Sequence, residues 1–204
     1  SVFFTYFNLL QKYILKTALR KINLDPGLLD FEKLAQINAL LQKKQSGGKI
    51  KLNNRIDFVV SSDEIYIGPP DQNLPPLRIA TIPGSYILGN GWIFMINRES
   101  KPTDSMLKNS SPFEEWIDEK KISGDLKIRT AKSGDSFFPI NFKGSKKVSD
   151  LLIDSKIPVY SRKQIPIIEC EKGIVWIGGL RLDDRYKVTN STKNVLHLQL
   201  RKAD

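Results

Sequence analysis

At 204 residues, 40% hydrophobic and 26% charged, the chain has the length for one large or two small domains and the composition of a folded protein. A single cysteine, Cys170, and a single histidine, His197, exclude an intramolecular disulfide and the usual His/Cys zinc sites, and leave a histidine-based triad without material. The net charge of +10 is uneven, with 16 basic and 13 acidic side chains in residues 1–122 (+3) against 16 and 9 in residues 123–204 (+7). Such an excess on a small C-terminal half suits a polyanionic partner. An anionic membrane fits less well, because the cations are scattered among loops rather than set along one amphipathic helix.

The opening run Ser1 to Gln11 is too short to span a bilayer and lacks a basic n-region. The chain starts on Ser1 with a helical pattern already under way, and reads as a piece of something longer. Phe3, Phe4, Phe7, Leu10, Ile14, Ala18, Leu19 and Ile22 recur at helical spacing and predict an amphipathic helix to about Ile22. Lys12, Lys16 and Arg20, four apart, form a basic stripe on its other face, either a solvated face or a nucleic-acid contact. Asp25-Pro26-Gly27 stops this helix. A second is predicted from an Asp30 N-cap to Lys44, with Phe31, Leu34, Ile37, Leu40 and Leu41 inward.

Period two then takes over. Ile50–Leu52, Ile56–Val60 and Ile65–Ile67 predict a small antiparallel meander with turns at Asn53-Asn54 and 61–64. Leu77–Ile82, Tyr86–Leu88 and Trp92–Ile96 follow as strands, and the polar stretch 99–112 reads as a linker. The predicted division is therefore 1–98, the linker 99–112, and 113–204. The fold class is α+β: an N-terminal helix pair, small antiparallel strands, then a mostly β C-terminal domain with one or two short helices. In Val195–Leu200 the leucines alternate inward, which puts His197 on the outer face, and Cys170 reads as a strand residue.

Chemistry concentrates in the turn Lys143-Gly144-Ser145-Lys146-Lys147, where Gly144 permits a sharp bend. Ser145 is placed as the N-cap of a helix carrying Val148, Leu151 and Leu152, so that backbone N–H groups, a hydroxyl and two cations would meet a phosphate. Lys132, Arg162, Lys163, Arg181, Arg185 and Lys187 add cations, and Phe137, Phe138 and Phe142 are aromatic neighbours more often found in a core than as base platforms. No nucleotide site can be assembled. Ser46-Gly47-Gly48-Lys49 lacks the spacer and the Ser/Thr of a phosphate loop, and Gly178-Gly179 opens no helix. Asp183-Asp184, between Arg181 and Arg185, is read as local ion pairs rather than a metal site. No catalytic residue and no metal are expected.

Arg129, Gly134-Asp135, Phe137, Pro139, the Lys-Gly-Ser-Lys-Lys turn, Lys156-Ile157-Pro158, Arg162, Pro166 and the run Val175 to Thr189 resemble the C-terminal domain of the tRNA(Ile)-lysidine synthetase family. Residues 1–122 are more weakly similar to that family's middle, substrate-recognition domain. The resemblance implies a cytoplasmic, bacterial-type tRNA-processing ligase that uses ATP to adenylate the wobble cytidine of a CAU-anticodon isoleucine tRNA, which lysine then attacks. Those cofactors belong to an N-terminal PP-loop domain whose Ser-Gly-Gly-x-Asp-Ser signature is absent from this chain, so the chain itself is expected to be non-catalytic. By motif position it implies tRNA contacts at Lys143, Lys146, Lys147 and Arg162, with Arg129, Arg181 and Arg185 next; the charge pattern adds Lys132 and Lys163, with Lys12, Lys16 and Arg20 as weaker candidates. Two departures, Ala131 and Ser136, stand where the family has arginine. A homodimer remains open. So does a second reading, a non-catalytic interaction module of the kind found in phenylalanyl-tRNA synthetase.

Overall fold

The structure, a computed structural model, describes residues 8–43, 47–61, 64–70, 74, 76–79, 81–88, 91–108 and 111–203. The expected roles of Phe3, Phe4, Phe7, Lys44 and Ser46 lie outside these residues. The chain forms two compact units, Ser1–Asp71 with Pro158–Tyr160, and Gln72–Ile157 with Ser161–Asp204. The class is α+β, as expected.

In the first unit, helices α1 (Asn8–Lys21) and α2 (Phe31–Gln42) precede the antiparallel sheet β1-β2-β3, formed by β1 (Gly48–Lys51), β2 (Asp57–Val60) and β3 (Ile65–Gly68). Asp30 caps α2 by accepting a hydrogen bond from the Lys33 N–H at 2.7 Å, the arrangement its sequence predicts. Leu34, Ile37 and Leu41 are buried against Leu15, Leu19, Phe58 and Val60. The buried stripe of α1 is Gln11, Leu15 and Leu19, four apart, whereas Leu10 and Ile22 are exposed. Phe31 is 89% exposed, against its expected inward place. It is the first helical residue, and its side chain leans toward the helix N-terminus, beyond the reach of the core. Each fully buried Leu or Phe of this cluster contributes about 1.5–3 kcal/mol relative to exposure.

The second unit is built on two larger antiparallel sheets. One has the order β13-β12-β11-β8-β4, from β4 (Leu77–Arg78), β8 (Lys127–Arg129), β11 (Ile167–Cys170), β12 (Gly173–Ile177) and β13 (Arg181–Leu182). The other is β5-β6-β14-β7, from β5 (Gly84–Leu88), β6 (Trp92–Glu99), β7 (Glu114–Asp118) and β14 (Val195–Lys202). A separate hairpin pairs β9 (Ser136–Phe137) with β10 (Lys146–Lys147), and two short helices complete the unit, α3 (Asp104–Lys108) and α4 (Val148–Asp154).

Alternation along β11, and along β12 with a bulge at Val175, sorts the core. Ile168, Val175 and Trp176 join Phe94, Ile96, Ile117, Leu196 and Leu198 from the four-stranded sheet. Ile167, Ile174 and Ile177 join Phe137, Val148, Leu151 and Leu152. The five-stranded sheet is thus covered on both faces, which is why β12 is an almost unbroken apolar run.

Residues 99–112 do not divide the molecule as expected. Glu99 ends an eight-residue β6 that pairs along its whole length with β14, and α3 occupies the middle of the stretch, so residues 84–99 belong with the C-terminal strands. His197 is also placed differently. The face opposite the leucines is covered by Trp116, whose ring stacks on the imidazole at 4.2 Å, leaving His197 buried. Its Nδ1 lies 2.9 Å from a Glu99 carboxylate oxygen. Cys170 is a buried strand residue 3.3 Å from the Tyr186 hydroxyl.

Candidate nucleic-acid interface

The basic turn is the tip of the β9–β10 hairpin. Lys146 pairs with Phe137 and Lys147 with Ser136 across the ladder, so the intervening segment must reverse. Gly144 makes that possible with φ 97°, a left-handed conformation that costs other residues about 1–2 kcal/mol. Beside the hairpin lies a cleft of about 800 Å³, lined by Gly134, Ser136, Phe142, Ser145, Lys146 and Lys147 and, from α4, by the carboxylates of Asp150 and Asp154.

The cations around this cleft are not equivalent. Lys143 and Lys147 are exposed and form no ion pair among the described residues. Lys146 is half-buried, donates to Asp154 at 2.6 Å and lies 6.0 Å from the Phe142 ring centroid. Phe142 is 55% exposed and Phe138 42%, while Phe137 is fully buried. Only the last takes the core role that the sequence favours for all three.

Arg129 is engaged within the fold. Its buried guanidinium donates to Asp135 at 2.7 and 3.0 Å and to Glu169 at 2.7 Å. Asp135 in turn accepts the Lys132 N–H at 2.7 Å, and its own carbonyl accepts the Val148 N–H at 2.9 Å. One ion pair therefore fixes the 132–135 turn to the start of α4, with Lys132 projecting from it. Burial pushes the Asp135 carboxyl up, but the Arg129 hydrogen bonds, the Lys132 N–H and both positive charges more than reverse this and hold it below the usual carboxylate value.

Arg185 is similarly engaged. It donates to Asp183 at 2.7 and 2.9 Å and covers the Phe138 ring at 4.8 Å. Fully buried Asp183 also accepts the Phe138 N–H at 3.0 Å, which anchors the entry of the hairpin. The expected pairing of Asp183-Asp184 with cations holds through Arg185 and Lys187; Arg181 is not a hydrogen-bonded partner. Arg181 is exposed on the edge strand β13, and its charge opposes the rise of the Glu115 carboxyl, which burial, with some help from Glu114, pushes up to about 7. Arg162 donates to the Ile157 carbonyl at 3.0 Å, and Lys163 is exposed.

Ser145 does not cap α4. The N-cap is Lys147, without a side-chain hydrogen bond, because Lys146 and Lys147 are drawn into the hairpin ladder and the helix starts only at Val148. With seven residues and its Val148 N–H already bonded to Asp135, α4 offers no anion site at its N-terminus. The cations of the hairpin carry the site instead. Lys12 and Arg20 are exposed on α1 and Lys16 half-buried, all in the first unit.

Residues 126–200 match the family described as the TilS substrate C-terminal domain. The tRNA(Ile)-lysidine synthase of Clostridium tetani is 32% identical over 189 residues, 89% of this chain and 40% of that protein. The chain is similar to the tRNA(Ile)-lysidine synthases over most of its length. The enzyme of Dehalococcoides mccartyi is 29% identical over 86% of the chain and 38% of its own length. The chain thus spans about two fifths of these lysidine synthases. A crystal structure of a TilS C-terminal domain superimposes with TM-score 0.58 at 22% identity, covering 65% of this chain and 99% of that one, so the fold is shared. Of the two positions at which the resemblance departs from arginine, Ala131 packs half-buried against the α4 core cluster, while Ser136 lines the cleft beside the hairpin.

Proposed function

We propose that this chain is the tRNA-binding part of a tRNA(Ile)-lysidine synthase, gripping tRNA phosphates with the β9–β10 hairpin. The ATP-dependent attachment of lysine to the wobble cytidine takes place, in this reading, on a domain outside the chain. The observation that carries it is the hairpin itself. Lys143 and Lys147 are exposed, with no ion pair among the described residues, beside a large open cleft, and Lys132 sits on a turn that Arg129 holds in place. Lysine ammonium groups bind phosphate as point charges without reading sequence, which fits a domain that positions a tRNA while another acts on it.

The test is binding of the chain to a CAU-anticodon isoleucine tRNA and to the same tRNA without its acceptor stem, over a salt series. Tighter binding of the whole tRNA and a steep loss of affinity with salt are expected. Weak, equal binding to both would remove the hairpin as an acceptor-stem contact.

A further inference from the structure

A second cleft in the same unit combines rings and cations that the hairpin does not use. β6 and β14 are in register with Trp92 opposite Lys202. β14 continues past the start of β7, and the Leu200 N–H donates to the Phe113 carbonyl at 2.8 Å. This lays the Phe113 ring on Trp92, with centroids 5.1 Å apart and planes 23° from parallel, while the Lys202 ammonium sits 5.8 Å from the Trp92 centroid. A cleft of about 410 Å³ opens there, bordered also by Glu114, Gln199 and Arg201. Phe113 is 41% exposed, and Arg201 is exposed with no ion pair among the described residues.

A lone exposed ring needs no explanation. A stacked pair of rings flanked by two cations is different, because it matches both halves of an unpaired nucleotide. The flat base gains from stacking on a ring, and the phosphate gains from Arg and Lys. A duplex cannot use such a surface, since its bases are already stacked on one another. The Gln199 amide donates to the Glu114 carboxylate at 3.4 Å, and its second N–H and its carbonyl oxygen can meet a base edge.

We propose that the Trp92–Phe113 cleft binds an unpaired nucleotide of an RNA strand, with its base against Phe113 and its phosphate against Arg201 and Lys202. The proposal rests on the RNA-binding reading above but uses none of its residues.

The experiment compares a blunt RNA hairpin with the same hairpin carrying a four-nucleotide unpaired 3′ tail that contains 2-aminopurine. The tailed RNA is expected to bind at least about fivefold tighter, the low end of what stacking one base supplies, with the fluorescence of the tail altered. Phe113→Leu keeps the packing over Gly179, where a Cβ would already meet the ring at 2.8 Å, but removes the stacking face. That variant and Arg201→Ala should each abolish the gain from the tail and leave binding of the blunt hairpin unchanged. Equal binding of both RNAs by the unaltered chain overturns the cleft while leaving RNA binding by the hairpin intact. A tail advantage that survives both substitutions overturns it too. Binding of neither RNA overturns both readings.

Discussion

The Arg129 guanidinium meets the Asp135 carboxylate through two hydrogen bonds, 2.7 and 3.0 Å long, and directs its remaining donors to Glu169 and the Thr130 carbonyl. A cation placed among tRNA contacts by motif position is thereby the fastener of the 132–135 turn. Arg129→Ala leaves two carboxylates without their partner and should cost about 3 kcal/mol, read as a lower denaturant midpoint. Arg129→Lys should recover little of it, since an ammonium cannot span both Asp135 oxygens. Asp135 is depressed in the folded state, so the pair contributes fully above the ordinary carboxylate value of 3.8 and fades as pH falls below it. The stability deficit of Arg129→Ala should shrink in acid.

Lys143→Ala and Lys147→Ala should weaken binding of every tRNA alike. Removing one phosphate-binding ammonium should shallow the plot of log affinity against log salt by about 0.7–0.9. Lys146→Ala should change that slope less, because its ammonium is already neutralised by Asp154 at 2.6 Å. A salt series on the three variants separates them, and equal slopes would place Lys146 among the phosphate ligands.

Gly144→Ala isolates the hairpin's backbone demand. No atom lies within 4 Å of the position an alanine Cβ would take, so the only penalty is the left-handed φ of 97°. A loss of about 1–2 kcal/mol is expected. A neutral result in thermal unfolding would show that the turn relaxes into another conformation.

Glu115 should make the chain less stable in weak alkali. Its carboxyl is raised from 4.5 to about 7, so its contribution is complete below pH 4.5 and is lost as pH rises through about 7. The loss is on the order of 2 kcal/mol, after allowance for partial exposure. Glu115→Gln should flatten the stability profile between pH 5 and 8 (about that window, from the same linkage). A profile identical to that of the unaltered chain would rule Glu115 out as its source.

What could be read from sequence was mainly local. The Asp30 cap, the buried Leu34, Ile37 and Leu41, the first meander and the alternating leucines of β14 each depend on neighbours a few residues away. What could not be read depends on distant partners. The spacing around His197 correctly puts it opposite the leucines, but nothing near it says that Trp116 covers that face. Polar composition makes 99–112 look like a linker, yet its first residue completes a strand whose partner lies at Val195. The same limit applies to the site. Lys143 and Lys147 are visible as cations, whereas the engagement of Arg129 turns on Glu169, forty residues away, and that of Phe138 on Asp183. The Trp92–Phe113 pair gives no local signal at all, since its members lie far apart along the chain.

The place of β14 between β6 and β7 bears on how the protein is made. Both flanking strands leave the ribosome early, β7 ending at Asp118, but the strand that joins them starts only at Val195. Until it emerges, β6 presents one side with unpaired backbone groups and β7 has no neighbour in its sheet, a state prone to wrong pairing. At synthesis speeds of about 5–20 residues per second the wait lasts several seconds or more. Nascent chains stalled before residue 195 should therefore engage chaperones, and those stalled well beyond Lys202 should not.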